Sequence, residues 1–181
     1  AVQTPFVSNG WTVQAVTLDL IQDVIDTAVG GSMPIKTLTQ GDLAGMAAFV
    51  FTRPGETVIA FRGTQMDEGL ILGPGRDDAI ADWGLGAGDV PQQVSAAYWF
   101  YKAALTLSGV AVNTISFTGH SLGGALASIM ANYTGKSAVV FDPAPNVATA
   151  ANLRDGTPPV IIDAAGTIAI VLPGIPNSTF P

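Results

Sequence analysis

One stretch in the middle of the chain has the residue types and spacing of a serine nucleophile. Gly119, Ser121 and Gly123 form a Gly-x-Ser-x-Gly pattern. The apolar run from Asn113 to Thr118 predicts a strand before it, and the run from Leu122 to Tyr133 predicts a helix after it. A serine at such a strand-to-helix turn presents its hydroxyl at the edge of a sheet, where it can attack an acyl carbon. The pattern therefore predicts a nucleophile elbow centred on Ser121.

The residues beside Ser121 suit that turn. We expect that Cβ atoms at Gly119 and Gly123 would collide with the neighbouring strand and helix. The first N–H groups of a helix have no partner within it, so the N–H of Leu122 is a predicted donor to a developing oxyanion. His120 precedes the serine, and we expect its side chain to pack or to form a hydrogen bond away from Ser121 Oγ instead of acting as the base.

A second strand end carries another predicted oxyanion donor. The run from Thr57 to Phe61 predicts a strand, and it continues into Arg62-Gly63-Thr64. A small hydroxyl residue after a glycine at a strand end can direct its backbone N–H and its hydroxyl at a neighbouring reaction centre. Beside a nucleophile elbow, Thr64 is therefore the predicted partner of Leu122 in the oxyanion hole.

The composition limits the class of protein. The chain has 181 residues, which suits a single domain over 1–181. It is 48% hydrophobic and only 12% charged, against about 25% charged in an ordinary soluble domain. The net charge of −7 argues against nucleic acid and anionic membranes as partners, and the absence of cysteine excludes disulfides and thiolate metal sites. No apolar run is long enough to predict a transmembrane segment.

The elements around the elbow alternate between strand and helix patterns. Helical spacing of apolar residues extends from Thr12 to Val29, and Pro91 begins another helical pattern. Strands are predicted at 47–53, 57–61, 137–141, 160–162 and 167–172, and a short helix at 148–153. The first two strands flank Pro54-Gly55 and form a hairpin. Residues 65–81 form a loop, either a lid or an ordinary surface loop. This order predicts an α/β fold.

Four segments of the sequence resemble those of a known family. Phe61-Arg62-Gly63-Thr64, Asp82-Trp83, the helix that begins near Val90, and Gly119 to Gly124 resemble the class 3 lipases, and the bacterial secreted members most of all. The resemblance covers roughly residues 45–145. It implies an α/β-hydrolase fold with a mostly parallel sheet flanked by helices, carboxylic ester hydrolysis on lipids or simpler esters, no cofactor or metal, and secretion, with a cytoplasmic location as the alternative.

The resemblance also implies an acid and a base after the nucleophile. Asp163 follows a short apolar strand and is the predicted acid, with Asp142 as the alternative. No histidine follows Ser121 in the sequence, although the triad of this fold runs in the order Ser, Asp, His. The histidine therefore lies beyond Pro181, or a second chain supplies it, or the protein is inactive. We expect the first: the chain is a fragment or a processed form of a serine ester hydrolase that forms an acyl-enzyme at Ser121.

Two other functions are compatible with the same residues. The first is a catalytically inactive binding module that keeps the hydrolase scaffold. The second is an acyltransferase that uses Ser121 and transfers the acyl group to an alcohol. Product analysis with an alcohol acceptor separates transfer from hydrolysis.

Overall fold

The computed structural model describes residues 9–28, 43, 45–63, 92–146, 160–164 and 167–171. The helices are α1 (Leu18–Ala28), α2 (Gln92–Ala104) and α3 (Leu122–Thr134), with a short 3-10 helix at Val112–Thr114. The strands are β1 (Thr12–Gln14), β2 (Ala48–Arg53), β3 (Glu56–Phe61), β4 (Ile115–His120), β5 (Ser137–Phe141), β6 (Val160–Ala164) and β7 (Thr167–Val171). The architecture is α/β, as predicted. None of the described helices is both long and apolar enough to cross a membrane.

The first five strands form one sheet in the order β1-β2-β3-β4-β5. The pairs β1–β2 and β2–β3 are antiparallel, whereas β3–β4 and β4–β5 are parallel. The described sheet is therefore mixed, and the prediction of a mostly parallel sheet is wrong for this part of the chain. The predicted hairpin explains the difference, because its tight turn, closed by an ion pair between Arg53 and Glu56, reverses the chain between β2 and β3.

The register brings distant segments to one edge of the sheet. Ala48, at the start of β2, lies opposite Phe61, and Phe61 lies opposite Gly119 near the end of β4. The start of β2 therefore lies at the same edge as the carboxyl ends of β3, β4 and β5. Ligands of open α/β sheets bind outside the carboxyl ends of the strands, so this edge is where a site is expected.

Helix α1 is shorter than predicted. The helical pattern began at Thr12, but α1 begins at Leu18, where the hydroxyl of Thr17 accepts a hydrogen bond from the N–H of Leu20 at 3.2 Å. The residues before this cap form β1 instead, and Gln14 Nε2 donates to Thr52 Oγ1 of β2 at 2.9 Å. Pairing with a strand distant in sequence overrides the local helical spacing.

The two faces of the sheet differ. One face contacts the helices and contributes to the core, in which buried residues of α1, α2 and α3 surround Val50, Ile59 and Phe117. Side chains of the opposite face are less buried, and three of its apolar residues are more than half exposed: Phe49, Val139 and Phe141. The described helices therefore cover one face of the sheet.

The last two strands form a separate antiparallel pair. Strands β6 and β7 pair with each other, and neither belongs to the five-stranded sheet. Asp163 lies within β6, opposite Ile168, so the prediction that it follows its strand is wrong. The predicted loop at 65–81, Asp82-Trp83 and the predicted helix at 148–153 lie outside the described residues.

Candidate active site

Ser121 has the strained backbone of a nucleophile elbow. Its φ of 53° and ψ of −126° are rare for a residue with a side chain, and such conformations cost about 1–3 kcal/mol. Three backbone hydrogen bonds hold it there. The N–H of Ser121 donates to the carbonyl of Phe141 at 3.1 Å, and its carbonyl accepts from the N–H groups of Ala125 at 3.0 Å and Ala144 at 3.1 Å. Hydrogen bonds to α3, to the end of β5 and to the segment after it therefore hold Ser121 in this strained conformation.

The hydroxyl of Ser121 is not used to stabilise the helix. Ser121 is the N-cap residue of α3, a position where a serine hydroxyl ordinarily accepts a hydrogen bond from the first turn. Here the side chain makes no capping bond. With this backbone conformation, the hydroxyl does not take the capping role that a serine usually has at this position.

Two glycines permit strand β4 and helix α3 to come this close. A Cβ atom at Gly119 would lie 2.3 Å from the carbonyl carbon of Gly123, and one at Gly123 would lie 2.3 Å from the carbonyl oxygen of Phe61. Both atoms belong to the backbone, which cannot move aside as a flexible side chain can. The predicted collisions are confirmed, and any other residue at either position would displace the elbow.

The end of β3 lies directly against the elbow. A Cβ atom at Gly63 would lie 2.7 Å from the carbonyl oxygen of His120 and 3.7 Å from Cβ of Ser121. Thr64 itself lies outside the described residues. The contact at Gly63 brings the residue before Thr64 beside the serine, and sequence reasoning did not assign this role to Gly63. The sequence signal for this role was a glycine that immediately precedes a hydroxyl residue at a strand end.

Leu122 is fixed at the first position of α3. Its side chain is buried, with 1% of its surface exposed, and so anchors the start of the helix in the core. The N–H of Ala125 bonds to the carbonyl of Ser121, so the N–H of Leu122 belongs to the first turn, which has no intrahelical acceptor. The helix dipole adds partial positive charge at this end. This arrangement can stabilise an oxyanion beside Ser121.

The candidate acids lie in different parts of the structure. Asp142 follows Phe141, whose carbonyl accepts the N–H of Ser121, so the structure brings the backbone of Asp142 to the elbow. It is exposed and has a φ of 43°. Asp163 lies in β6, which pairs with β7. His120 is exposed, so of its two predicted roles packing is wrong, and the hydrogen bond stays a prediction. It neighbours Gly119 in β4, and alternation along the strand puts the two on opposite faces of the sheet.

An aromatic cluster on α2, formed by Tyr98, Trp99, Phe100 and Tyr101, packs against α3, the helix that follows the elbow. Tyr98 contacts Tyr133 of α3 edge to face, with ring centroids 5.6 Å apart, and also contacts Trp99 at 5.2 Å. Burial, with smaller contributions from Tyr133 and Tyr101, raises the pKa of Tyr98 to about 12. The phenol therefore stays neutral at physiological pH. Its neighbours Trp99, Phe100 and Tyr101 are buried in the core.

The chain is similar to a known protein family and to a solved structure. The model of a family described as phospholipase-like, with a Tle-like phospholipase domain, matches residues 7–155. The crystal structure of the extracellular lipase LipA from Serratia marcescens is similar, with 20% identity and a TM-score of 0.43. The similarity covers 72% of this chain and 22% of the lipase chain. No curated protein matches the sequence.

Proposed function

The chain belongs to the Tle-like phospholipase domain family, and from this premise we propose that it hydrolyses carboxylic esters of lipids through an acyl-enzyme at Ser121. The observation that carries the proposal is the strained backbone of Ser121, with φ at 53° and a side chain that caps nothing. Strain of this kind persists where the surrounding structure enforces it, and it is typical of sites where a side chain has a chemical role. The finer resemblance to class 3 lipases and the expected secretion stay predictions.

In the proposed mechanism, Ser121 Oγ attacks the ester carbonyl carbon. A base takes the proton of the hydroxyl, and the carbonyl oxygen becomes an oxyanion. The N–H of Leu122 and the N–H or hydroxyl of Thr64 stabilise that charge. Donors that are fixed before the reaction stabilise the transition state without reorganisation, and losing one such donor costs about 10²–10³ in turnover. As the tetrahedral intermediate collapses, the base gives that proton to the leaving oxygen and the alcohol departs. Water, deprotonated by the same base, then attacks the acyl-enzyme, which releases the fatty acid and restores the Ser121 hydroxyl.

No histidine follows Ser121 in the sequence. The single histidine of the sequence is His120, the last residue of β4, and we expect it to lie away from Ser121 Oγ. We therefore propose that the base is a histidine from a further segment of the protein or from a second chain. Asp163 and Asp142 are the candidates for the acid that orients it.

The test is release of fatty acid from phosphatidylcholine vesicles by the protein at its natural length. We expect hydrolysis that Ser121→Ala abolishes. Of Asp163→Asn and Asp142→Asn, the variant that replaces the acid should lose about 10⁴ in turnover, and the other should keep most of it. Hydrolysis that survives Ser121→Ala would refute the assignment.

The absence of a histidine after Ser121 favours one other function. Without its base, a serine triad loses on the order of 10⁶ in turnover. A protein that binds lipid and hydrolyses none of the esters offered, even at its natural length, would be a binding module on a hydrolase scaffold. The same vesicle assay, combined with vesicle binding measured by co-sedimentation, separates these two functions.

A further inference from the structure

The first turns of α2 are buried on all sides. Five consecutive residues, from Gln93 to Ala97, each have at most 6% of their surface exposed. Ser95 is one of them, with 1% exposed, and Trp99, one turn later, is 3% exposed. A hydroxyl group and an indole N–H therefore lie inside the core, away from bulk solvent.

Ser95 differs from the other serine and threonine residues of the described α-helices. The hydroxyls of Thr27, Ser128 and Thr134 each donate to the backbone carbonyl four residues earlier, at 2.6–2.9 Å. In the part of the chain that the structure describes, neither Ser95 Oγ nor Trp99 Nε1 has a hydrogen-bond partner. Buried polar atoms nearly always have one, because an unpaired atom has lost its bonds to water without replacement.

The two atoms lie close enough to share a partner. Ser95 and Trp99 are on the same side of α2, since residues four positions apart are neighbours on a helix surface. Long side chains in a helix lean toward its N-terminus, so the indole of Trp99 extends over the turn that contains Ser95. The two side chains do not bond to each other. One small molecule that bonds to both is the shortest link between them.

The chemistry of the two atoms limits what can bind there. An indole N–H only donates, so the ligand must accept a hydrogen bond, whereas the hydroxyl of Ser95 can donate or accept. A charged acceptor would lose its hydration in a buried site and is disfavoured. Water is the smallest neutral molecule that can accept one hydrogen bond and donate another.

We propose that Ser95 and Trp99 bind one internal water molecule, which accepts a hydrogen bond from Trp99 Nε1 and forms another with Ser95 Oγ. Buried waters satisfy polar groups that the chain itself leaves unpaired, and they typically make about three hydrogen bonds. Trp99 contacts Tyr98, which contacts Tyr133 of α3. The water therefore stabilises α2 in the region where it packs against the helix that follows the elbow.

The first test is a crystal structure of the protein at its natural length, at a resolution that shows ordered water. We expect one solvent peak within about 2.7–3.2 Å of both Ser95 Oγ and Trp99 Nε1. A protein atom bonded to either of them, or an absence of density between them, would overturn the proposal.

The second test is urea unfolding of variants that each remove one of the two polar atoms. Ser95→Ala removes the hydroxyl, and 3-benzothienylalanine in place of Trp99 removes the N–H while keeping the shape of the rings. Each should lower the equilibrium constant for folding by about fivefold, the effect of one hydrogen bond. Both together should lose little more than either alone, because they remove the same bridge. Stabilisation by either change would mean that the atoms are unpaired.

Ser128→Ala is the matched control for the serine variant. It makes the same substitution in α3, where the hydroxyl bonds to the carbonyl of Gly124 at 2.9 Å, so both variants gain the same helix propensity from alanine. Its effect should be the same with tryptophan or 3-benzothienylalanine at position 99. Additive effects of Ser95→Ala and the change at Trp99 would overturn the proposal, as would equal coupling with Ser128→Ala.

Discussion

The elbow and a cavity at the start of α1 have opposite packing. At the elbow, backbone meets backbone, and an added Cβ atom at Gly123 would lie 2.3 Å from a carbonyl oxygen. At the cavity, about 540 Å³ is open among residues before and within α1, at the start of β2 and in α2. One region therefore tolerates no added atom, whereas the other can take several.

The difference follows from what each region must do. A nucleophile has to be held within fractions of an ångström of its productive position, and backbone contacts give that rigidity. An open cavity has no such requirement, so it tolerates changes of side-chain size. Substitutions at the elbow should therefore alter activity and stability strongly, and substitutions that add carbons in the cavity should alter stability little.

The largest effect is expected at the nucleophile itself. Ser121→Ala should lower turnover by about 10⁶ and leave the free energy of unfolding nearly unchanged, because the hydroxyl caps nothing in the fold. The measurement is the initial rate of fatty acid release, together with urea unfolding of the same protein. A large loss of stability in this variant would mean that the hydroxyl has a structural role.

The next effect tests the rigidity of the elbow. Gly123→Ala should lower the free energy of unfolding by at least about 3 kcal/mol, because its Cβ would overlap the carbonyl of Phe61. Gly135→Ala is the matched control: Gly135 ends α3 at a φ of 66° and has nothing within 4 Å of its Cβ position, so only the backbone conformation penalises alanine. It should cost about 1 kcal/mol. Equal costs in urea unfolding would refute the contrast between crowded and open positions.

A smaller effect is expected on the cavity side. Ala48→Leu should change the free energy of unfolding by less than about 1.5 kcal/mol, because the added carbons enter open volume. Urea unfolding of the variant and the wild type checks this. A loss as large as that of Gly123→Ala would show that the wall of the cavity is packed as tightly as the elbow.

The smallest effect concerns Tyr98, in the aromatic cluster of α2. Folding raises the pKa of Tyr98 from 10.0 to about 12, chiefly through burial, so the unfolded chain releases this proton at lower pH than the folded protein does. The free energy of unfolding should therefore be insensitive to Tyr98 below pH 10 and fall between pH 10 and 12. Comparison of the wild type with Tyr98→Phe by urea unfolding across this range isolates the contribution. Identical slopes would contradict it.

The elbow was predictable because its determinants are local. A strand pattern, a glycine on each side of a serine and a helix pattern occur within one continuous stretch, and the close contacts at Gly119 and Gly123 follow from that order. The hairpin of β2 and β3 was predictable for the same reason, since Pro54-Gly55 marks its turn.

The cavity and β1 were not predictable, because they depend on residues far apart in the sequence. Val16 and Phe100 share a wall only after α1 and α2 have packed together. Strand β1 depends on its contacts with β2, among them the hydrogen bond from Gln14 to Thr52. Its three residues are too few to give a strand pattern. Asp163 was misplaced at the end of an apolar run, because β6 continues through it to Ala164.

The most direct test of the account is labelling of Ser121 with a fluorophosphonate, measured by intact mass on the protein at its natural length. Fluorophosphonates react with serines that a neighbouring base activates. We expect one label per chain, on the peptide that contains Ser121, and none in Ser121→Ala. Absence of labelling, or labelling that persists in Ser121→Ala, would contradict the claim that this elbow holds a catalytic nucleophile.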